Sequence, residues 1–152
     1  MRRKGPGEPT GVRLDADAAE ALRLRSLLAV VLRAVALQPE ADEVLAACAA
    51  PSETSSVIAR RGQRVAADYC RLYGWAMDLC GNDPVDSLPH RITQLLHYHA
   101  ELIDVALKLA FPRYRSAELE RRRMALTGLG EPAQVLRDAE VALRLWIDEL
   151  SS

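Results

Sequence analysis

Residues 58–80 read IARRGQRVAADYCRLYGWAMDLC, and the spacing of apolar side chains in this stretch decides the fold class. These side chains recur every seven residues in two positions of the repeat, which is the pattern of one buried helix face. They are Ile58, Val65, Leu72 and Leu79 in one position, and Gly62, Tyr69 and Ala76 in the other. Residues 81–84, Gly-Asn-Asp-Pro, end the pattern because they supply a left-handed cap and then a residue that cannot continue a helix. The stretch therefore predicts a long amphipathic helix over about residues 52–80.

Start and stop signals elsewhere in the chain predict further helices. Capping Ser and Asp residues precede apolar residues at helical spacing, and Pro or Gly follows them. The helices predicted in this way span about residues 15–37, 39–50, 87–111, 116–127 and 131–151. Pro39 is expected to open the second of them, since the first turn of a helix has no use for the missing N–H group. We expect an all-α fold, a single antiparallel bundle of five or six helices.

The 152 residues fit one domain with one core, but the beginning of the chain differs in character from the rest. Residues 1–13 carry Gly, Pro, Thr and basic side chains without apolar periodicity. Ordering them would cost entropy that no apolar face repays. We therefore expect a flexible basic tail over residues 1–13 and a helical bundle domain over residues 14–152.

Charge and cysteine content restrict the partners and the compartment. The 20 basic and 21 acidic residues nearly cancel, and acidic residues interrupt the arginine clusters at 60–71 and 113–123, so a nucleic-acid partner is not expected. The longest apolar run, residues 27–32, is far shorter than the ~20 residues of a membrane span, so no membrane association is expected. The three cysteines lack CxxC spacing, and no apolar signal segment follows the basic N-terminus, which favours a cytoplasmic protein with reduced thiols.

The three histidines lie within residues 90–99 and invite a metal-site hypothesis. On a helical wheel, however, His99 falls on the apolar face, whereas His97 and Glu101 fall on the polar face. We therefore expect a buried, hydrogen-bonded His99, a solvated His97 and no metal site. The chain also lacks a Gly-rich phosphate loop and a hydrolase nucleophile elbow, so no cofactor is expected.

One short motif within this region suggests catalysis. Residues 91–97, Arg-Ile-Thr-Gln-Leu-Leu-His, resemble the pattern of an Arg, an apolar residue, a short spacer and a His in the HEPN superfamily. The small helical bundles of that family often act as RNA-cleaving toxins or their relatives. The resemblance implies that Arg91 and His97 would meet at a dimer interface, where the guanidinium binds an RNA phosphodiester and the imidazole transfers protons. The alternative is that Arg91 and His97 are surface residues.

The favoured functional hypothesis is a non-enzymatic one. A helical domain without a recognisable site usually presents a helical face to a partner, so we expect an adaptor or regulatory module that self-associates, with a homodimer as the simplest form and any other protein partner unknown. Tyr69, Leu72, Tyr73 and Trp75 are the interface candidates, because the heptad face of the long helix carries unusual aromatic area. The alternative is that these side chains complete the core of their own chain.

Overall fold

The computed structural model describes residues 7–152 of the chain, with side chains from residue 15 onward. Five helices follow one another in it, and no strand occurs among these residues. The helices are α1 (Gly7–Ala49), α2 (Ser56–Cys80), α3 (Leu88–Ala110), α4 (Ala117–Met124) and α5 (Glu131–Ser151). The prediction of an all-α bundle is confirmed.

The predicted break at Pro39 is wrong, because α1 continues through this proline as a single helix of 43 residues. An unbroken buried stripe explains the continuity, since its members alternate at spacings of three and four on both sides of the proline. They are Leu24, Leu27, Val31, Ala34, Gln38, Ala41, Leu45 and Cys48. A proline inside a helix costs about 3 kcal/mol. Burying a Val or Leu side chain returns about 1.5–3 kcal/mol, so Val44 and Leu45 together with their neighbours offset that cost.

The start of α1 falls inside the segment predicted as a tail. Residues 1–6 lie outside the described residues, and helical backbone begins at Gly7. The division into a tail of residues 1–13 and a domain of residues 14–152 remains a prediction.

The other helices begin and end close to the predicted residues. Gly81 ends α2 with a φ of 56°, the positive value that its predicted capping role requires. Ser116 caps α4, and its hydroxyl accepts the N–H of Leu119 at 3.1 Å. These local signals work because a cap needs only residues that are neighbours in sequence.

The contact partners of α1 run in opposite order along α2. Arg23 of α1 contacts Leu79 of α2 and Asp83 of the following loop, the Ala34 carbonyl contacts Tyr69, and Glu40 contacts Arg61. The partners of α2 run in opposite order along α3 as well. Those contacts join Tyr69 to His99, Tyr73 to His97, and Cys80 to Thr93. This register places the aromatic middle of α2 between α1 and α3.

A hydrogen-bonded polar chain crosses the core at His99. The Nδ1–H group of His99 donates to the Leu95 carbonyl at 2.7 Å, so its Nε2 atom accepts from the Gln38 amide nitrogen at 3.2 Å. The same amide nitrogen donates to the Ala133 carbonyl, and the Gln38 amide oxygen accepts from Arg137 at 2.7 Å. One buried glutamine therefore ties α1 to α3 and α5 with every polar atom satisfied.

The α4 helix is fastened to the end of α1 by a buried arginine. The Arg123 guanidinium donates to the backbone carbonyls of Cys48 and Ala50, which the end of α1 leaves without helical partners. It also pairs with Glu120 at 2.8 Å, and this partner raises the pKa of Arg123. A positive charge at the carbonyl end of a helix complements the helix dipole.

The loop before α5 is held to α1 by one carboxylate. Asp42 accepts the backbone N–H of Leu129 at 2.8 Å. A Cβ atom on Gly128 would lie 2.7 Å from the same carboxylate oxygen, so a glycine allows the close approach. Leu129 is thereby seated in the core at the start of α5.

Among the helices of the described part, none combines the length and the apolar character that a membrane crossing demands.

Candidate interaction surfaces

Two of the four predicted interface residues belong to the core instead. Tyr69 and Leu72 are buried, and the Tyr69 hydroxyl donates to the Ala34 carbonyl at 2.9 Å. These two residues of the heptad stripe therefore pack in the core of their own chain, and their assignment to an interface is wrong. Tyr73 is half-buried and packs on the His97 ring at 5.2 Å between ring centres.

Trp75 is the predicted interface residue that the fold leaves available. Its side chain is 44% exposed. It borders a groove of about 440 Å³ between α1 and α2, beside Leu79 at the end of the heptad stripe. Ser26, Ala29 and Val30 of α1 form the opposite wall, and their small size keeps the groove open beside the indole ring. An exposed tryptophan at a mostly apolar groove is typical of an energetic anchor in protein interfaces.

Two opposite charges mark the ends of this groove. Arg33 is next to Ala34, whose carbonyl accepts from Tyr69, so Arg33 lies near the level of Tyr69. Asp78 is next to Leu79, whose carbonyl accepts from Arg23, so Asp78 lies near the level of Arg23. Ala34 and Arg23 are eleven residues apart on α1, or about 16 Å of helix rise. Arg33 and Asp78 therefore lie toward opposite ends, with Trp75 between them, and neither forms an ion pair among the side chains described from residue 15 onward.

The exposed apolar area extends beyond the groove along α1. Leu22, Ser26, Ala29 and Arg33 follow each other at spacings of four, three and four, so they share one face of the helix. Leu22 is 64% exposed at one end of this face. We call Leu22, the groove residues of α1 and the bordering Trp75 and Asp78 of α2 the Trp75 surface.

The two residues of the HEPN-like motif do not share a groove within one chain. Arg91 is exposed and lines a groove between α3 and α5. His97 is exposed on another side of α3, where it contacts Tyr73 of α2 and lies 3.3 Å from Glu101. A single chain therefore does not bring the Arg91 guanidinium and the His97 imidazole into one groove.

The two expectations for the histidines of this segment are confirmed. His99 is fully buried with both ring nitrogens bonded, and burial lowers its pKa, which favours the neutral ring. His97 is exposed, and its ion-pair partner Glu101 lies on the same helix. Among the side chains described from residue 15 onward, no group of three His, Cys, Asp or Glu residues is arranged to hold a metal ion.

A second groove, between α3 and α5, was not anticipated from the sequence. Its volume is about 510 Å³, and Leu95 and Tyr98 of α3 face Val135 and Ala139 of α5 across it. The side chains on its two rims continue at heptad spacing along both helices, a signal that could have been read as a second apolar stripe. Leu88, Leu95 and Tyr98 of α3 and Val135 and Ala142 of α5 line the groove, and Leu102 and Val105 of α3 and Leu145 of α5 continue the two stripes beyond it.

Comparison with known proteins adds no relative: no protein family model, curated protein or solved structure matched this chain.

Proposed function

We propose that this protein works without catalysis, as a helical module that associates with a second copy of itself through the Trp75 surface. The observation that carries the proposal is the exposed indole of Trp75 beside an apolar groove whose two ends bear opposite charges. Aromatic residues are enriched at the centres of interfaces, where burying the ring supplies much of the binding energy.

The charge arrangement makes the surface complementary to itself. A dimer with two-fold symmetry brings the same patch of both copies together, so that a residue on one side of the axis meets a residue from the other side. With the axis near Trp75, Arg33 of one copy faces Asp78 of the other, and the reverse pair forms as well. Two such pairs fix the register of the interface, and the apolar centre supplies the affinity.

The polar residues that could carry chemistry support a non-catalytic role. His99 has both ring nitrogens occupied by core partners, so it is not free to exchange protons with a substrate. The Cys48 thiol is buried, and burial raises its pKa, which disfavours the nucleophilic thiolate. Arg91 and His97 lie on separate sides of α3, as described above.

The proposal is tested by sedimentation equilibrium of the wild type and of the Trp75→Ala variant. We expect a wild-type dimer at micromolar concentration. The dissociation constant of Trp75→Ala should be at least about tenfold higher, because truncating an anchor residue costs about 2 kcal/mol or more. Trp75 is not part of the core, so circular dichroism should show that the variant keeps its helices.

Tyr114→Ala is the matched control, since Tyr114 is an exposed aromatic residue outside the Trp75 surface. It should leave the dissociation constant unchanged. A wild-type protein that sediments as a monomer at about 100 µM would contradict self-association, because a weaker contact would not define a stable dimer. Equal effects of Trp75→Ala and Tyr114→Ala would contradict the choice of surface.

A further inference from the structure

We propose that protonation of His99 in mild acid releases the first turns of α5 from α1 while α1, α2 and α3 stay packed together. Three features of the fold support this switch. They are a buried group that titrates, a single side chain that links it to α5, and a glycine at the start of α5. None of the residues involved belongs to the Trp75 surface, so the inference is independent of the proposed dimer.

The orientation of the Gln38 amide is fixed by its two partners on α5. Its oxygen accepts from the Arg137 guanidinium at 2.7 Å, and its nitrogen donates to the Ala133 carbonyl at 3.2 Å. The nitrogen is therefore the atom that faces His99, at 3.2 Å from Nε2. Because an amide nitrogen only donates, an Nε2 atom without a proton is the one that fits beside it. The bonds of Gln38 to α5 thus require a neutral His99.

A proton on His99 is incompatible with these bonds. The Nδ1–H group still donates to the Leu95 carbonyl, so the added proton lies on Nε2 and faces the hydrogens of the Gln38 amide. A half-turn of that amide would offer its oxygen to Nε2. The same turn would remove the donor of Ala133 and place N–H groups against the Arg137 guanidinium. The charged ring is therefore satisfied only when Gln38 gives up its bonds to α5.

The groups around His99 keep its ring neutral in the closed fold. Burial lowers the pKa of His99 and outweighs a backbone carbonyl and the Asp42 carboxylate of α1, which raise it. The ring of Tyr69 on α2 lies at 5.1 Å, and burial raises the pKa of Tyr69, so it stays uncharged. Tyr98 on α3 meets the imidazole edge-on at 6.4 Å. Arg137 of α5 is bonded to the same amide as His99, so a charged ring would add a second positive charge there.

The first turns of α5 are the part of the bundle that depends on these bonds. Ala133 and Leu136 are buried in these turns, so their exposure makes the opening rare at neutral pH. Further along the helix, Leu143 and Ile147 are buried without any bond to Gln38 and keep the second half of α5 in place. Gly130 precedes the helix with a φ of 68°, and a glycine allows the backbone changes that a displacement requires.

The release is tested by hydrogen exchange of individual amides, followed by NMR at about pH 7.5 and about pH 5.5. Exchange rates corrected for their intrinsic pH dependence give the opening constant of each amide. The open state takes up a proton near the ordinary pKa of 6.5, and the closed state does not. We therefore expect the opening constants of residues 135–139 to rise about tenfold at the lower pH. Amides in the middle of α2, such as that of Leu72, should keep much smaller opening constants at both pH values.

Three variants distinguish this switch from a general loss of stability. His99→Gln removes the titrating ring and should abolish the rise. His97→Gln is the matched control and should keep the rise, because that exposed histidine contacts α2 and leaves the bonds of Gln38 in place. Gln38→Glu supplies a carboxylate that accepts from a protonated His99 and from Arg137 together, so the opening constants should no longer rise in acid. Circular dichroism at both pH values checks that each variant keeps its helices.

Three results would overturn the proposal. The first is a wild type whose opening constants at the start of α5 do not rise in acid. The second is a rise in His99→Gln as large as in the wild type. The third is equal opening constants for residues 135–139 and the middle of α2 at about pH 5.5, which would mean that acid acts by unfolding the whole chain.

Discussion

Acidification provides a test of the buried polar chain around His99, because only the neutral ring of His99 satisfies all of the hydrogen bonds in this chain. Neutral His99 donates from Nδ1 to the Leu95 carbonyl and accepts at Nε2 from the Gln38 amide. A proton on Nε2 would face the Gln38 amide hydrogens, and a flip of that amide would break its bonds to Ala133 and Arg137. Burial lowers the pKa of His99 and outweighs the opposing effects of the Leu95 carbonyl and Asp42.

The sign and size of the effect follow from the proton balance. In the unfolded chain His99 titrates near its ordinary pKa of 6.5. Below that pH the unfolded state binds a proton that the folded state does not, so the free energy of unfolding decreases as the pH falls. The loss approaches about 1.4 kcal/mol for each pH unit below 6.5 while the folded state keeps the ring neutral.

Urea denaturation at about pH 7.5 and about pH 5.5 measures this loss. We expect the wild type to lose about 1.4 kcal/mol between the two values, and His99→Gln to lose much less because it has no imidazole there to titrate. His97→Gln is the matched control, because it removes an exposed histidine from the same helix and leaves the hydrogen bonds of His99 in place. An unchanged pH dependence in His99→Gln, or a wild type that becomes more stable in acid, would refute the reasoning.

Three substitutions test the packing of α1, each by urea denaturation near neutral pH. Leu45→Ala should cost about 3 kcal/mol, because Leu45 is buried beyond Pro39; a loss below about 1 kcal/mol would mean that α1 does not continue past the proline. Arg123→Met should cost about 2 kcal/mol, since it leaves two backbone carbonyls at the end of α1 without their donor, whereas Arg122→Met on the exposed side of α4 should change stability by less than about 0.5 kcal/mol. Tyr69→Phe should cost about 1 kcal/mol, and no loss would show that its bond to the α1 carbonyl is not formed.

Local sequence signals were sufficient for four of the five helices. The bounds of α2, α3, α4 and α5 follow from capping residues, glycines and prolines, which act on their immediate neighbours. The same local reasoning was wrong at Pro39, because the energy that carries α1 through the proline comes from packing against other helices. The stripe from Leu24 to Cys48 already contained that information, since its spacing does not change at the proline.

The polar core and the interface were harder to predict. Gln38 falls in register with the buried stripe of α1, so its burial could have been inferred, but its partners on α3 and α5 depend on the tertiary register. In the sequence, Arg123 and Glu120 have the spacing of an exposed ion pair on one helix. Arg123 is buried because it contacts a carbonyl at the end of α1, and that contact depends on the tertiary fold. Tyr69 was assigned to an interface because sequence periodicity marks a buried face without saying whether the same chain covers it.

The most direct test of self-association is sedimentation equilibrium of a charge-exchange series. Arg33→Asp alone and Asp78→Arg alone each place like charges opposite one another in the proposed dimer, so both should weaken it at least about tenfold. The double variant, Arg33→Asp with Asp78→Arg, restores one opposite pair on each side of the two-fold axis and should dimerise nearly as well as the wild type. Arg60→Asp, an exposed change of the same charge on α2, should have no effect. Additive weakening in the double variant would contradict the proposed pairing of Arg33 with Asp78.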